Sequence, residues 1–349
     1  MKTEILRIDE GEKDLSSRLS SAAKIIREGG TVIFPTETVY GLGGDATNPS
    51  SAEKIYKAKG RPADNPLIIH VADPRDAEKY TVTSELYYKL AERFMPGPLT
   101  VILTSRDTIP ERTRAGLSTV AVRCPKNKIA RALIREAGVP IAAPSANLSG
   151  SPSPTTANHV IDDMYGRVDM IIDGGSAEFG LESTIVKIED DGSLMLLRPG
   201  AVTVDDLFSV TKSVSVASAV TEALGEGERP LSPGMKYRHY APRASVTLLD
   251  GEADGAISYI REQGKGNVAI IAYDEDIMKY RSAFSGAVIY AFGKREDKLS
   301  QANRLFAILR EADKQNFDEI YAPLPEKEGI GLALYNRMIR AAAYKICKV

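Results

Sequence analysis

Cationic side chains cluster where a predicted helix ends in the segment YKAKGRPADNPL. Lys57, Lys59 and Arg61 project from the helix end and from the Gly-Arg-Pro turn that follows it. Ammonium and guanidinium groups in such a cluster bind phosphate oxygens through charge-assisted hydrogen bonds. A solvated helix end explains the same residues, because the helix dipole also favours Lys and Arg at its C-terminus. Composition alone leaves both interpretations open and slightly favours the solvated end.

Short polar side chains follow two other predicted strands. Ser145 and Asn147 stand in APSANLSG, directly after the strand VPIAA, where a hydroxyl and an amide can hydrogen-bond a ligand at the strand tip. Turn chemistry explains these two residues equally well. Thr36, Glu37 and Thr38 stand in PTETVYGLGG, where a glycine-rich loop allows close approach of a small ligand.

Three further residues have both a structural and a functional interpretation. His70 lies inside the strand LIIHV, on the same face as Ile68, so a hydrogen-bonded core histidine is its default role. Arg123 ends the strand TVAVR, and Arg198 precedes a Pro-Gly pair. Without a ligand, each arginine is an ordinary surface cation.

Several motifs of covalent and metal-dependent catalysis are missing from the sequence. There is no GxxxxGK[ST] phosphate loop, no GxGxxG opening a βαβ unit, no HExxH and no GxSxG elbow. Only three histidines are available, namely His70, His159 and His239, so a histidine-rich metal centre is not expected. An enzyme with this inventory should work by positioning its substrates and stabilising charge.

Alternating strand and helix signals must position these residues. Apolar runs predict strands at 67–71, 99–103, 119–123, 139–143, 169–172 and 184–188, and helical spacing predicts helices at 14–28, 50–59, 84–94 and 127–137. The segment TVIFPTETVYGLGGDAT is expected to begin as a buried strand and to continue as a glycine-rich loop. Residues 1–205 therefore form one predicted mixed α/β unit.

The last third of the chain has its own pattern. Gly and Pro interrupt the stretch 224–243, which is interpreted as a connector whose Lys, Tyr, Arg and His side chains suit a planar anionic ligand. Strands at 244–249, 267–273, 287–291 and 319–323 then alternate with helices at 254–263, 296–313 and 330–346. This pattern is typical of a small doubly wound sheet.

Composition bounds these interpretations. The chain has 349 residues, of which 43% are hydrophobic and 26% charged, as in soluble two-domain proteins. Lys and Arg number 45 against 47 Asp and Glu, which argues against a basic body that holds nucleic acid by charge alone. Cys124 and Cys347 are too far apart in sequence for a metal-binding spacing and are predicted to be packed thiols. With no membrane-spanning run and no export signal, a cytoplasmic protein is expected.

Four segments occur together in a specific order, namely PTETVYGLG, KAKGRPADNPLIIHV, APSANLSG and LESTIV. In this combination the chain resembles the YrdC-like family of threonylcarbamoyl-AMP synthases over residues 1–205. SPGMKYRHYAP and the α/β tail resemble the longer, two-domain branch of that family. The resemblance implies a YrdC-like mixed α/β domain with a twisted central sheet (1–205), a connector that acts as a lid (206–243) and a Rossmann-like C-terminal domain (244–349).

The resemblance also implies the reaction and the residues that carry it. L-threonine, bicarbonate and ATP would yield threonylcarbamoyl-AMP and pyrophosphate, for threonylcarbamoyladenosine in tRNA. Lys59 and Arg61 would be the catalytic cations. The family pattern maps threonine binding to Thr38, His70, Arg123, Ala143 and Ser183, and ATP binding to Arg61, Asn65, Thr119, Ser145, Asn147, Ser153, Arg198 and Tyr237. Mg²⁺ would be carried by the ATP phosphates, with no dedicated protein site.

Partners and alternatives follow from the same comparison of motifs. The downstream tRNA threonylcarbamoyl-transferase machinery is an expected partner, a weak RNA contact is a further one, and no membrane is expected. The main alternative is an RNA-binding module without adenylate-forming activity, which the balanced charge disfavours. Carbamoyl-adenylate chemistry of hydrogenase maturation is a second alternative, but the cysteine-rich and acylphosphatase-like segments that accompany it are missing here.

Overall fold

Strands and helices alternate along the chain in two units. The computed structural model describes residues 2–223 and 240–349. Of these, the first unit contains residues 2–149 and 153–223, and the second contains 150–152 and 240–349. Residues 206–223, which the sequence interpretation placed in the connector, lie in the first unit and add a strand to its sheet.

The helices and strands of the first unit fall mostly where the sequence patterns predict them. They are β1 (Glu4–Arg7), α1 (Leu15–Arg27), β2 (Val32–Phe34), β3 (Gly41–Asp45), α2 (Pro49–Lys59), β4 (Ile68–His70), β5 (Thr81–Val82), α3 (Glu85–Phe94), β6 (Leu99–Ser105), β7 (Thr119–Arg123), α4 (Lys128–Ala137), β8 (Ile141–Ala142), α5 (Ala157–Met164), β9 (Met170–Asp173), β10 (Thr184–Ile188), β11 (Leu194–Arg198), α6 (Val204–Phe208) and β12 (Val214–Val216).

Within residues 2–223 the strands form a single mixed sheet. Its order is β1-β9-β2-β3-β8-β4-β7-β6-β10-β11-β12, with β5 paired to β6. Strands β3, β8, β4 and β7 are therefore consecutive neighbours, with β4 and β7 parallel and β8 antiparallel to both β3 and β4. His70 ends β4, Arg123 ends β7 and Ala143 directly follows β8, so three predicted threonine residues lie on these neighbouring strands.

The glycine-rich segment after β2 is the clearest departure from the sequence interpretation, which predicted a loop there. Residues 41–45 form strand β3, antiparallel to β2. Glycine is required because β3 lies tightly against its neighbours. A Cβ on Gly43 would lie 2.6 Å from Cγ2 of Ile141 and 2.7 Å from Cε1 of Phe34. The glycines thus provide close strand packing in place of a mobile loop.

One face of this sheet is covered by helices α1 and α4. Their apolar residues, with Leu19, Ile26 and Leu133 among them, share one buried cluster with Phe34 of β2 and Ile172 of β9. The side chain of Asp14 caps α1, and that of Asn127 caps α4. Removing this apolar face from water is the main stabilising contribution, and it fixes the sheet that carries the site.

The second unit contains β13 (Ser245–Asp250), α7 (Ala253–Gln263), β14 (Val268–Ala272), α8 (Ile277–Ala283), β15 (Val288–Ala291), α9 (Lys298–Lys314), β16 (Glu319–Pro323), α10 (Gly331–Ala341) and β17 (Ile346–Lys348). Its sheet has the order β15-β14-β16-β13-β17, and every neighbouring pair is parallel. The chain moves from β13 across the sheet to β15 and then back to β17. Right-handed crossovers therefore place α7 and α8 on one face of the sheet and α9 and α10 on the other. The predicted doubly wound domain is confirmed.

The final helix is shorter than the sequence predicts. The pattern suggested a helix over 330–346, but α10 ends at Ala341 and strand β17 follows, pairing with β13. Ala343 and Tyr344 make the turn with positive φ values of 48° and 65°. Pairing to a sheet edge is a tertiary effect that helical spacing cannot reveal.

Across the described residues, no helix is long and apolar enough to span a bilayer. Cys124 is buried and Cys347 half-buried, and both are free thiols.

Candidate functional site

The end of helix α2 positions the predicted catalytic cations. Asn48 caps the helix, Pro49 occupies its first turn, and Gly60 ends it in the left-handed conformation with φ 63°. This end leaves Lys59 as the last helical residue and turns the chain so that Arg61 follows immediately. Both side chains are buried, so neither is the solvated helix-end cation that composition also allowed. Lys57, two residues earlier, is exposed.

The Lys59 ammonium joins α2 to the loop after β8. Its Nζ donates to the carbonyl oxygen of Ser145 at 2.5 Å and to that of Asn147 at 2.6 Å. The Ser145 hydroxyl donates to Oδ1 of Asn147 at 2.5 Å, and the Ser149 amide donates to the carbonyl of Lys59 at 2.9 Å. The predicted Ser-x-Asn segment is therefore built around this cation.

Arg61 and Asn65 form the next part of the same segment. The Arg61 guanidinium donates to the carbonyl oxygens of Asn65 at 3.3 Å and Pro66 at 3.1 Å. Asn65 is almost fully buried, yet within residues 2–223 and 240–349 its side-chain Oδ1 has no hydrogen-bond partner. A buried acceptor without a partner is unfavourable unless a ligand or water supplies a donor. This atom is thus suited to a hydrogen bond from a bound molecule.

His70 and Arg123 are paired residues at the ends of parallel strands β4 and β7. Nδ1 of His70 lies 3.3 Å from the carbonyl oxygen of Ile141, and the edge of the ring meets Phe34 with centroids 5.9 Å apart. Burial, followed by the charge of Arg123, lowers the pKa of His70 from 6.5 to about 3. His70 is therefore a neutral imidazole at physiological pH.

Arg123 makes a buried ion pair with Glu37, a residue that the family pattern did not map to the site. Its Nη2 donates to Oε1 of Glu37 at 2.7 Å, with side chains 5% and 3% exposed. Its Nε is buried and has no hydrogen-bond partner. Thr38, the predicted threonine-binding neighbour of Glu37, is buried, and its hydroxyl lies 2.9 Å from that of Thr36.

Ser183 and Arg198 are brought together at the start of β10 and the end of β11. Arg198 donates from Nε to the Ser183 carbonyl at 3.0 Å and from Nη2 to the Ser183 hydroxyl at 3.1 Å. The same hydroxyl lies 2.7 Å from Oγ1 of Thr100 on β6. The buried Ser153 hydroxyl donates to the carboxylate of Glu182.

The segment 141–147 connects the two predicted subsites. Its Ile141 carbonyl contacts His70, its Ala143 amide donates to the carbonyl of Ile68 at 2.8 Å, and its Ser145 carbonyl accepts from Lys59. His70, a predicted threonine residue, and Lys59, a predicted phosphate-binding cation, thus both contact one continuous stretch of backbone.

Two predicted ATP residues take part in none of the contacts described above. Thr119 is the half-buried first residue of β7, opposite Thr104 of β6. Tyr237 and residues 224–239 of the predicted lid lie outside the described residues, so their roles stay predictions.

Sequence reasoning missed two residues of the site. Glu182 was available in the LESTIV motif, where a carboxylate beside Ser183 was the signal. Thr100 sits inside an apolar strand and gave no local signal. Within residues 2–223 and 240–349 no three His, Cys, Asp or Glu side chains gather as a metal-binding group.

Comparison with known proteins agrees with this geometry. Residues 24–200 match the Sua5/YciO/YrdC family model, whose description is telomere recombination, and residues 202–343 match the model of the threonylcarbamoyl-AMP synthase C-terminal domain. The threonylcarbamoyl-AMP synthase of Bacillus subtilis (strain 168) is 42% identical over 335 residues, 95% of this chain and 94% of the relative.

The chain belongs to the threonylcarbamoyl-AMP synthase family.

Another member, from Pyrococcus abyssi, is 41% identical over 342 residues, 95% of this chain and 96% of the relative. The crystal structure of P. abyssi Sua5 complexed with L-threonine superimposes with a TM-score of 0.89 at 39% identity, covering 99% of this chain and 100% of that chain. The long, two-domain form of the threonylcarbamoyl-AMP synthases is thereby confirmed for this chain, together with its predicted fold.

Proposed function

We propose that this chain forms threonylcarbamoyl-AMP and pyrophosphate from L-threonine, bicarbonate and ATP. The observation that carries the proposal is the segment 141–147, which contacts His70 at one end and Lys59 at the other. An amino-acid subsite and a phosphate subsite joined by one backbone segment suit an enzyme that couples a carbamoylated amino acid to a nucleotide. The names of the relatives, including the threonine complex of P. abyssi Sua5, support the same substrates.

The reaction requires positioning and charge stabilisation more than covalent chemistry. The amine of threonine captures bicarbonate as a carbamate with loss of water. A carbamate oxygen then attacks the α-phosphorus of ATP while pyrophosphate leaves from the opposite side. Negative charge builds up on the phosphate oxygens, and Lys59 and Arg61 are the proposed groups that stabilise it.

At the amino-acid end, we assign threonine binding to the side chains of Thr38, His70, Arg123 and Ser183 and to the backbone of Ala143. Arg123 suits the carboxylate, because a guanidinium can donate to both of its oxygens. The neutral His70 adds a hydrogen-bonding ring without a second positive charge, so the amine is not repelled. Burial of these groups excludes water that would hydrolyse the carbamate.

At the nucleotide end, Arg61, Asn65, Thr119, Ser145, Asn147, Ser153, Arg198 and Tyr237 are the proposed contacts. Oδ1 of Asn65 can accept a hydrogen bond from the nucleotide, since it has no protein partner. The positive charges of Lys59 and Arg61 disfavour a divalent cation bound directly to the protein beside them. We therefore propose that Mg²⁺ is held by phosphate oxygens and water, as this ion prefers, and neutralises phosphate charge when bound.

The product is a reactive mixed anhydride, so a transferase must consume it. We propose that the tRNA threonylcarbamoyl-transferase machinery does so.

The proposal is tested by incubating the full chain with ATP, Mg²⁺, L-threonine and ¹³C-bicarbonate and resolving nucleotide products by mass. The expected product is threonylcarbamoyl-AMP with the ¹³C label, formed together with pyrophosphate and dependent on threonine. Conversion of ATP that does not depend on threonine, or no labelled adenylate, would contradict the proposal. Serine and valine serve as controls for the amino-acid substrate.

A further inference from the structure

The ion pair between Glu37 and Arg123 joins the loop after β2 to the end of β7. Oε1 of Glu37 accepts from Nη2 of Arg123 at 2.7 Å, and both side chains are almost completely buried. We infer that Glu37 is a positioning residue that holds the Arg123 guanidinium in the orientation needed to receive the carboxylate of the amino-acid substrate. This inference rests on the proposed function and adds a residue to it.

Glu37 itself is held firmly. The Phe179 amide donates to its backbone carbonyl at 2.8 Å, and the Asn127 amide approaches Oε2 at 3.4 Å. Beside it, Oγ1 of Thr36 accepts from the amides of Thr38 and Val39, which fixes the turn that carries Glu37. A carboxylate on such a rigid turn can orient a long arginine side chain that would otherwise sample several rotamers.

The pairing leaves the Nε donor of Arg123 unused. Nε is buried and has no hydrogen-bond partner among the described residues, while Nη2 is engaged by Glu37. A buried donor without a partner is unfavourable, and an incoming carboxylate removes that penalty. Glu37 also offsets the arginine charge, because an unpaired buried cation would be costly.

This arrangement predicts which part of the ligand depends on Glu37. The carboxylate of the amino acid gains from an oriented Arg123, whereas its side chain and amine do not contact the guanidinium. Loss of Glu37 should therefore weaken ligands that carry a carboxylate and spare those that lack one. A residue that only stabilises the fold would weaken both kinds of ligand equally.

The chain offers a matched control. Glu37 lines a cavity of about 370 Å³ together with Glu178, which is half exposed and pairs with Lys126 at 3.2 Å. Glu178→Gln makes the same chemical change in the same cavity at a residue that does not pair with Arg123. A general effect of removing a negative charge there would appear in both variants.

The experiment measures the dissociation constants of two ligands, L-threonine and L-threoninol. In L-threoninol a hydroxymethyl group replaces the carboxylate. The proteins compared are the full-length wild-type chain, Glu37→Gln and Glu178→Gln. Thermal melting checks that each variant is folded, and Glu37→Asp replaces Glu37→Gln if the latter is unfolded. The expected result is a loss of about tenfold in threonine affinity for the Glu37 variant, with threoninol and ATP affinities within about twofold of wild type and Glu178→Gln unchanged.

Each other outcome has a definite meaning. Threonine affinity of Glu37→Gln equal to wild type overturns the inference, and so does an equal loss for threonine and threoninol. A wild-type chain that binds ATP but not threonine overturns the proposed function, and the assignment of Glu37 with it. The two failures are distinguished by the wild-type measurement alone.

Discussion

Lys59 and Ser145 are linked by a hydrogen bond of 2.5 Å from the lysine ammonium to the serine carbonyl, across 86 positions of sequence. The bond ties the end of α2 to the loop after β8, and Asn147 adds a second carbonyl at 2.6 Å. Backbone oxygens thus hold the cation in place. Binding of a triphosphate would exchange neutral carbonyl acceptors for charged phosphate oxygens, which are stronger partners.

Replacement of Lys59 tests its role as a catalytic cation. Lys59→Ala should lower the rate of threonine-dependent pyrophosphate release by about 100-fold or more, the effect of removing one preorganised donor to transition-state charge. Threonine affinity should stay close to wild type, because Arg123 is untouched. Lys57→Ala, at an exposed position of the same helix, is the control and should keep the wild-type rate. Equal rates for both variants would remove Lys59 from the mechanism.

Arg123 should matter for stability as well as for binding. Arg123→Met leaves the Glu37 carboxylate buried without its charged partner, which should cost about 3–5 kcal/mol of the free energy of unfolding. The double variant Arg123→Met/Glu37→Gln removes both charges and should recover a large part of that loss. Urea unfolding of the two variants measures the difference. A double variant as unstable as the single one would contradict a buried ion pair.

His70 should make the protein sensitive to mild acid. Its pKa is 6.5 when unperturbed and about 3 in the fold, so below pH 6.5 the unfolded chain binds a proton that the folded chain does not. The stability that His70 contributes is therefore complete above pH 6.5 and falls as the pH decreases towards 3. Between pH 7.5 and 5.5 the expected loss in the free energy of unfolding is about 1.4 kcal/mol, because each pH unit below the unfolded-state pKa of 6.5 costs about that much.

Comparison of wild type with His70→Gln isolates this effect. Glu37 and Arg123, like His159 and His239, are present in both proteins, so their contributions cancel in the difference. The wild type should lose about 1.4 kcal/mol more than the variant over this range. Parallel pH profiles of the two proteins would show that His70 is not held neutral.

Ser183 should couple the two substrates. Its hydroxyl contacts both Thr100 and Arg198, and Arg198 is a proposed ATP contact whereas Ser183 is a proposed threonine contact. Ser183→Ala should therefore raise the KM for threonine and the KM for ATP together, each by about tenfold or more, since one lost hydrogen bond to a charged group is worth about 1.5–3 kcal/mol. Ser193→Ala, in the turn between β10 and β11, is the control. An effect on only one substrate would argue against the coupling.

Much of the fold could be predicted because its signals are local. The apolar strands around Ile69, Val101 and Val122 and the capped helix that ends at Lys59 all follow from short-range patterns. Strand β3 was not predictable in this way. Its Gly43 packs against Phe34 of β2 and against Ile141, which lies far along the chain. The same holds for β17, whose pairing with β13 decides its conformation.

In the candidate site, too, local patterns reveal some residues, whereas contacts between distant parts of the chain decide the others. Lys59, Arg61 and Asn147 could be selected from residue types and motifs, although only the structure shows the bonds that join them. The ion pair of Glu37 with Arg123 spans 86 positions, and spacing carries no information about such a partner. Thr100 could not be found at all, because a threonine within a strand is unremarkable until its neighbour Ser183 is known.

The central claim is that Lys59 and Arg61 face the phosphates of ATP while Arg123 receives the carboxylate of threonine. A crystal structure of the full chain with L-threonine and a non-hydrolysable ATP analogue tests it most directly. We expect phosphate oxygens within hydrogen-bonding distance of Nζ of Lys59 or the guanidinium of Arg61, and the threonine carboxylate against Arg123. A nucleotide bound away from residues 59 and 61 would contradict the account.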